Sequence, residues 1–325
     1  MSTHIRAVIT GTGSYLPAAP VTNDDLAKIV DTSDEWIAQR SGIRTRHFAK
    51  DETTAQMAIH AAQKAMAAAD LRGEDIGAII VATTTPDTTF PATAAHVQHA
   101  VGAPGCIAFD VQAVCSGFVY ALALADNFIR LGQAKHVLVI GAERMSNLLD
   151  WSDRTTCVLF GDGAGAVVLS AHRGTGDMTD RGVLASCLHA DGKHRDILYT
   201  TGGPGTNGES GKIVMQGKDV FKQAVTLMAE VVTEILSQSG VSAQAIDWLV
   251  PHQANLRIIE ATATKLGLPM DKVVVTVDRH GNTSAASIPL ALDVAYRDGR
   301  IKPGQLVLLE ALGGGLTWGA ALLRA

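Results

Sequence analysis

The sequence predicts an α/β protein made of two similar halves. Short apolar segments typical of buried strands alternate with segments of helical periodicity along the 325 residues. The order of these segments in the first half returns in the second half at a nearly constant offset. Hydrophobic residues make up 47% of the chain, which is enough apolar material for a large core. We therefore predict an internal duplication, with parallel or mixed sheets covered by helices.

The first predicted half covers residues 1–172 and contains one helix that is apolar on every face. Thr32 or Ser33 is expected to cap a short helix that carries Trp36. The apolar helix follows Cys115 and ends near Gly132. The predicted strands cover residues 5–10, 76–83, 106–114, 136–142 and 164–170, and the other predicted helices cover residues 53–71 and 91–101.

The second predicted half covers residues 173–325 and repeats this order after a loop-rich segment. Residues 173–217 are rich in Gly, Thr and Asp with little periodicity, so the division between the halves is placed at the start of this segment. The predicted helices cover residues 218–239, 255–266 and 285–298, and the predicted strands cover residues 246–250, 272–277, 306–310 and 319–324.

The repeat predicts that residues from distant parts of the chain meet. Aligning FDVQAVCSGFVYALAL with VDRHGNTSAASIPLAL pairs Asp110 with Asp278, which gives a sequence offset of 168 (278 − 110). Other strand pairs give offsets of about 170 residues. Under pseudo-twofold packing the ends of equivalent strands converge, so Cys115, His252 and Asn282 are expected to face one another.

Cys115 is a candidate acyl acceptor because it precedes a buried helix. The partial positive charge at a helix N-terminus favours a thiolate, and the free N–H groups there can receive an oxyanion. Small neighbours, Ser116 and Gly117, leave room for an acyl chain. The alternative is a small buried hydrophobic residue, a common role for cysteine in soluble proteins.

His252 and Asn282 are the candidate partners of this cysteine. His252 follows an apolar strand in VPHQANLRI, and Asn282 lies after Gly281 in DRHGNTSAAS, where His280 competes with it. Either residue alone could be ordinary loop or turn chemistry. Together they offer two neutral donors for the enolate oxygen that forms when a malonyl thioester loses CO2.

The segment ALGGGLTWGAALLRA contains a glycine run with two possible roles. It could be a turn between antiparallel strands, or it could bring backbone close to a ligand. A backbone N–H from Gly313, Gly314 or Gly315, with Gly314 preferred, would complete an oxyanion hole with the N–H of Cys115.

A second glycine motif is rejected as a nucleotide site. Residues 161–166, GDGAGA, match the dinucleotide fingerprint, but the apolar VVLS that follows predicts a strand where that motif requires a helix. Trp36, Arg40 and Arg154 are better candidates for holding an anionic, adenine-bearing carrier, although simple packing would also explain Trp36.

Composition excludes several classes of protein. A net charge of −5 argues against a general nucleic-acid binder. The four cysteines show no C-x-x-C spacing, so neither a metal site nor a disulfide framework is predicted. No apolar run reaches the roughly 18 residues of a membrane span. We expect a soluble cytoplasmic protein with no bound cofactor.

These motifs together resemble the β-ketoacyl-acyl-carrier-protein synthase III family, which are thiolase-fold condensing enzymes of bacterial type II fatty acid synthesis. The resemblance covers nearly the whole chain and rests on TSDEWIAQRSGIRTR, the Cys115 segment, DRTTCVLFGDGAGA, VPHQANLRI, DRHGNTSAAS and EALGGGLTWG. It implies a duplicated fold with αβαβα layers and a catalytic Cys115, His252 and Asn282. It also implies transfer of a short acyl group, commonly acetyl, from CoA to Cys115 and condensation with malonyl-acyl carrier protein.

The resemblance implies binding residues as well. It places the CoA adenine between Trp36 and Arg154, with Arg40 near the phosphates. It implies a homodimer in which Phe90 reaches the partner's acyl pocket. Met145 and Phe160 are further expected pocket residues. The expected carrier-protein surface consists of Gln253, Ala254, Asn255, Leu256, Arg257, Lys222 and Lys265, with Thr264 as a departure from members that have a Lys-Lys pair there.

Four alternatives stay open at this point. A related condensing enzyme of secondary metabolism would use the same three residues on another starter or extender. Elongating synthases are disfavoured because they use two histidines, and a thiolase would need a second catalytic cysteine after Cys187. A duplicated scaffold that binds acyl-CoA without turnover is the non-enzymatic alternative.

Overall fold

The computed structural model describes residues 4–325 and contains two large mixed sheets with matching strand order, together with two small two-stranded sheets. The strands of the first sheet are β1 (His4–Tyr15), β4 (Ala78–Ala82), β5 (Ile107–Val111), β6 (His136–Arg144) and β7 (Asp162–Gly174). Their order is β1-β7-β6-β4-β5, in which only the three strands at one end run parallel. The accompanying elements are β2 (Pro20–Thr22), β3 (Thr45–His47), α1 (Asn23–Ala27), α2 (Asp34–Ser41), α3 (Thr54–Ala68), α4 (Thr93–Ala100) and α5 (Gly117–Arg130).

The strands of the second sheet are β8 (Gly182–Ala190), β11 (Trp248–Pro251), β12 (Leu306–Gly313) and β13 (Thr317–Arg324). They repeat the arrangement of the first sheet with the order β8-β13-β12-β11, where β11 and β12 are the parallel pair. The accompanying elements are β9 (Leu198–Thr200), β10 (Ile213–Met215), α6 (Gly217–Ser239), α7 (Leu256–Lys265), α8 (Val277–His280) and α9 (Ser287–Arg297).

The duplication is confirmed by equivalent elements at one sequence offset. Strand β4 begins at residue 78 and β11 at residue 248, and the same offset separates the start of β6, residue 136, from the start of β12, residue 306. Helices α5 and α9, which begin at residues 117 and 287, are related by this offset too. Each of these two helices follows a short 3-10 turn whose first residue has a positive φ, 48° at Val114 and 49° at Ser284.

Three hydrophobic clusters lie between the helix and sheet layers. In the central cluster, α5 and α9 pack between the two sheets, which explains why α5 is apolar on every face. A second cluster packs α3 and α4 on the outer face of the first sheet. A third packs α6 and α7 on the outer face of the second sheet. The layers are therefore αβαβα, as expected.

Two predictions about the repeat are wrong in detail. Residues 272–277 do not form a strand, because Val273 makes only an isolated bridge with Leu249. The buried Gln253 side chain instead bonds the Val274 carbonyl and the N–H groups of residues 276 and 277, taking bonds that a neighbouring strand would make. The offset at the predicted Cys115 repeat is 170 (287 − 117) rather than 168, so Ala285 is the equivalent of Cys115.

The chain leaves the first sheet at the end of β7, Gly174, and enters the second at Gly182. The division at residue 172 remains a prediction. Among residues 4–325, every helix is too short or too polar to cross a bilayer.

Candidate active site

The three predicted catalytic residues open onto one cavity. Its volume is about 810 Å³, and Cys115, His252 and Asn282 all line it. The cavity lies where the two halves meet, between the turn before α5, the end of β11 and the segment before α9. The structure therefore brings these three side chains to one cavity.

Cys115 lies in the 3-10 turn that leads into α5. Only 5% of the residue is exposed, and this burial raises the pKa of the thiol to about 12. Burial therefore acts against the thiolate that the helix N-terminus is expected to favour. The thiol needs a proton acceptor before it can attack.

His252 follows β11 and is held at two points. Its backbone N–H donates to the Glu310 carbonyl at 2.8 Å, and its Nδ1 lies 2.7 Å from the Ser287 hydroxyl. The same hydroxyl accepts the Gln253 N–H at 3.3 Å. Burial lowers the pKa of His252 to about 3, so the imidazole is neutral at physiological pH. Because a hydroxyl both donates and accepts, Ser287 can hold either neutral tautomer.

Asn282 is fixed by backbone and side-chain hydrogen bonds. Its N–H donates to the Leu159 carbonyl at 2.9 Å, and its carbonyl accepts the Gly161 N–H at 2.9 Å. Its Oδ1 accepts the Ser284 N–H at 2.9 Å. That bond occupies the amide oxygen and identifies the other terminal atom as the nitrogen, a donor available to the cavity.

The glycine run is both a turn and a close approach. β12 and β13 form an antiparallel hairpin around residues 314–316. A Cβ atom on Gly313 would lie 2.7 Å from the Cys115 nitrogen, and one on Gly314 would lie 2.9 Å from the Leu198 carbonyl oxygen. The hairpin therefore lies directly against the turn that carries the cysteine.

Trp36 and Arg40 line one side of the cavity, and Arg154 lies over the Trp36 ring. The guanidinium carbons of Arg40 and Arg154 lie 4.7 and 5.0 Å from the centre of the Trp36 ring. Arg154 also donates to the Asp31 carbonyl at 2.8 Å. Trp36 is on α2, whose N-cap is Ser33, as expected. A planar aromatic group could stack against this ring between cationic side chains.

The predicted carrier-protein residues divide into exposed and buried ones. Ala254, Asn255 and Arg257 line the cavity, Lys222 and Lys265 are exposed, and Leu256 starts α7. Gln253 must be removed from this surface, because its side chain is fully buried and bonded to backbone. Arg257 lies 5.8 Å from the ring of Phe221, at the start of α6.

The predicted acyl-pocket residues are not all brought together. Phe160 lines the cavity, whereas Met145 is buried in the outer core of the second half. Phe90 is 83% exposed and lies outside the cavity. Its role at a partner's pocket remains a prediction.

Three polar residues near the cavity were missed from the sequence. Ser287 contacts His252, Ser284 contacts Asn282, and Glu143 accepts a hydrogen bond from the Ser284 hydroxyl. The sequence does contain an indication for Glu143, because this charged residue ends the otherwise apolar segment HVLVIGAE. The neighbouring parallel strand, β4, is followed directly by the polar run Thr83-Thr84-Thr85. Among residues 4–325, no group of three or more His, Cys, Asp and Glu side chains could hold a metal ion.

The fold and this cavity define the class of protein. A duplicated αβαβα protein with Cys, His and Asn side chains at the junction of its halves is a thiolase-fold condensing enzyme. Family models described as 3-oxoacyl-[acyl-carrier-protein] synthase III match residues 109–192, and the C-terminal model of the same name matches residues 236–325. The chain belongs to the 3-oxoacyl-[acyl-carrier-protein] synthase III family.

Curated relatives match nearly end to end. The β-ketoacyl-[acyl-carrier-protein] synthase III of Sphingopyxis alaskensis is 63% identical over 98% of this chain and 99% of its own length. The protein of the same name from Erythrobacter litoralis is 62% identical with the same coverage. The crystal structure of 3-oxoacyl-[acyl-carrier-protein] synthase III from Aquifex aeolicus is 50% identical, covers 98% of this chain and all of its own, and has a TM-score of 0.93.

Proposed function

We propose that this enzyme condenses a short acyl-CoA, with acetyl-CoA as the expected starter, and malonyl-acyl carrier protein. The products are a β-ketoacyl-acyl carrier protein, CO2 and CoA, which is the priming step of fatty acid synthesis. The observation that carries this proposal is the shared cavity of Cys115, His252 and Asn282. The names of the close relatives support the same reaction. The reaction requires no cofactor, since the CoA thioester is a substrate.

In the first half-reaction the acyl group moves to Cys115. His252 is the proposed acceptor of the thiol proton as sulfur attacks the thioester carbon, and the C–S bond to CoA breaks when the tetrahedral intermediate collapses. The proton then passes to the departing CoA sulfur. The N–H groups of Cys115 and Gly314 are the proposed donors to the intermediate's oxygen.

In the second half-reaction the malonyl thioester loses CO2. The electron pair of the broken C–C bond forms an enolate, whose oxygen is stabilised by N–H donors from His252 and Asn282. The enolate carbon attacks the acyl carbon on Cys115, and the cysteine sulfur leaves as a thiolate that takes up one proton from solvent. Neutral donors suit this task, because the cavity keeps His252 uncharged.

The substrates would reach Cys115 through the open side of the cavity. Trp36 and Arg154 are proposed to hold the CoA adenine, with Arg40 at the phosphates. Arg257, Lys222 and Lys265 are proposed to contact the acidic carrier protein, which would act in the cytoplasm. We also propose a homodimer, in which the exposed Phe90 and the edge strand β5 face the second copy.

Separate measurement of the two half-reactions tests the proposal. Cys115→Ala should lose acyl transfer from acetyl-CoA and keep measurable malonyl decarboxylation. Asn282→Ala should keep acylation of Cys115 and lose decarboxylation by about 100- to 1,000-fold, the usual effect of removing one oxyanion donor. The reverse pattern would refute these roles, and no product from any short acyl-CoA would refute the activity.

One relative bears on a second candidate. The priming β-ketosynthase of the R1128 polyketide pathway is 33% identical, covers all of this chain and 97% of its own, and has a TM-score of 0.93. The relatives above 60% identity are named β-ketoacyl-[acyl-carrier-protein] synthase III instead, so the alternative in secondary metabolism is not favoured.

A further inference from the structure

We propose that Glu143 is a positioning residue for the condensation step, acting through Ser284 to aim the Asn282 amide into the cavity. Glu143 belongs to the first half and Asn282 to the second, so the link spans the junction at which the reaction takes place. The inference rests on the condensing activity proposed above and adds a residue that does not itself line the cavity.

Glu143 is fully buried near the end of β6 and is surrounded by donors. The Thr84 N–H donates to its Oε2 at 3.1 Å. The Thr85 hydroxyl accepts the Arg144 N–H at 2.9 Å, which directs its own proton to Oε2 at 2.6 Å. The Thr83 hydroxyl accepts the Thr85 N–H and lies 3.3 Å from Oε2. These bonds fix one carboxylate oxygen inside the first half.

The other oxygen of Glu143 is directed to the second half. The Ser284 hydroxyl donates to Oε1 at 3.0 Å, and the Thr84 hydroxyl lies 3.1 Å from the same atom. The contact is built into the packing of the backbone, because a Cβ atom on Gly141 would lie 2.2 Å from the Ala285 carbonyl oxygen. Strand β6 and the turn that begins at Ser284 are therefore in direct contact.

Ser284 transmits this contact to Asn282. Its φ of 49° is in the left-handed region, which residues other than glycine seldom adopt without added support. In that conformation its N–H reaches the Asn282 Oδ1 at 2.9 Å. The Glu143 carboxylate holds the Ser284 side chain, and the Ser284 backbone holds the amide oxygen. The Asn282 nitrogen is thereby left as the donor to substrate.

The Ser284→Gly variant removes the hydroxyl and leaves the backbone unchanged, because glycine adopts a positive φ without strain and keeps the backbone N–H. We expect this variant to slow malonyl decarboxylation by about tenfold to 100-fold, less than the loss of a whole oxyanion donor. We expect the rate of Cys115 acylation by acetyl-CoA to fall less than the rate of decarboxylation, because the Ser284 side chain also bonds the Cys115 thiol whereas Asn282 acts only on the other half-reaction.

The Glu143→Gln variant tests the same contact from the side of the first half. The Thr84 N–H draws the carboxamide oxygen to the Oε2 position, so the Gln nitrogen faces Ser284 and the hydroxyl must turn. The double variant should be no slower in decarboxylation than the slower single variant, because both changes alter the same Glu143–Ser284 hydrogen bond. Asp293→Asn is the matched control: this buried carboxylate also joins the halves, through Thr12 and Ser14, but lies outside the cavity.

The outcomes separate this inference from the proposed function. Selective loss of decarboxylation in both single variants, with the control unaffected, supports it. Three results would overturn the inference: equal loss of both half-reactions, unchanged rates, or additive effects in the double variant. None of them would contradict the proposed function, because the parent protein would still carry out the condensation. A parent protein that neither acylates Cys115 nor releases CO2 would instead refute the proposed function. Thermal melting of each variant identifies losses that come from unfolding.

Discussion

Gly313 and Cys115 touch through their backbones. A Cβ atom on Gly313 would lie 2.7 Å from the Cys115 nitrogen and 2.7 Å from the Ala113 carbonyl oxygen. Both are backbone atoms, so relief of such a clash requires movement of the turn itself. The hairpin of the second half therefore fixes where the nucleophile of the first half lies, and the contact explains why a glycine stands at the end of β12.

Gly313→Ala should impair acyl transfer more than it impairs folding. The added methyl must displace the Cys115 turn, and a misplacement of about 1 Å at a reacting group can lower the rate by about 100-fold. We expect a loss of that order in the acylation of Cys115 by acetyl-CoA, measured by mass spectrometry over time. Gly203→Ala is the control, because a Cβ atom there meets nothing within 4 Å and its φ is not positive. Normal acylation by Gly313→Ala would show that the turn does not need this position.

The pH dependence of decarboxylation tests the environment of His252. Burial lowers the pKa of this imidazole to about 3, so it stays neutral from pH 5 to pH 8. Protonation of His252 should therefore cause no loss of rate in that range when acylated enzyme is saturated with malonyl-carrier protein. Rapid measurement of CO2 release checks this. A rate that falls on acidification with a midpoint near 6.5, and loses that midpoint in His252→Gln, would contradict it.

The duplication could be predicted from the sequence because the same order of strand-like and helix-like segments recurs in both halves. The buried α5, its equivalent α9 and the placing of Cys115, His252 and Asn282 at one junction all follow from that pattern. The positive φ at Val114 and Ser284 has no such signature, because neither is a glycine. The exact register of the repeat depends on these turns, and the alignment by residue type therefore missed it by two residues.

Gln253 shows a second limit of the sequence. The family resemblance implied a surface contact for Gln253 in QANLR, and the sequence of residues 272–277 predicted a strand. Both predictions fail for the same reason: the Gln253 amide is buried and bonds the backbone of residues 274, 276 and 277. A polar side chain that replaces strand hydrogen bonds looks the same in sequence as an exposed one, because only the tertiary packing decides its burial.

Arg257 provides a test of carrier-protein binding. Arg257→Glu reverses a charge at the cavity, so we expect a higher KM for malonyl-acyl carrier protein and little change in kcat. The effect should shrink as salt is added, because exposed charges are screened. Steady-state kinetics at two ionic strengths measure it, with Arg72→Glu as a control on an exposed arginine outside the cavity. An equal rise in KM for both variants would argue against a specific contact at Arg257.

Glu310 makes stability depend on pH in a direction that can be assigned. The side chain is fully buried in β12, and neither carboxyl oxygen has a hydrogen-bond partner among residues 4–325. Burial raises the pKa of this carboxyl from 4.5 to about 8. The group therefore stays protonated in the folded protein between these values while it ionises in the unfolded chain. Stability associated with Glu310 is fully present below about pH 4.5 and is lost as the pH rises toward 8.

Glu310→Gln should remove that dependence, because the amide does not ionise. We expect the free energy of unfolding of the variant, relative to the parent, to rise by on the order of 2–4 kcal/mol between pH 5 and pH 8. Urea unfolding at the two pH values measures the difference, and the comparison cancels the other titrating groups that both proteins share. Glu74→Gln, a change at an exposed carboxylate, is the control. A difference that stays constant with pH would mean that Glu310 is ionised in the folded protein, and its buried charge would then lack a hydrogen-bond partner among residues 4–325.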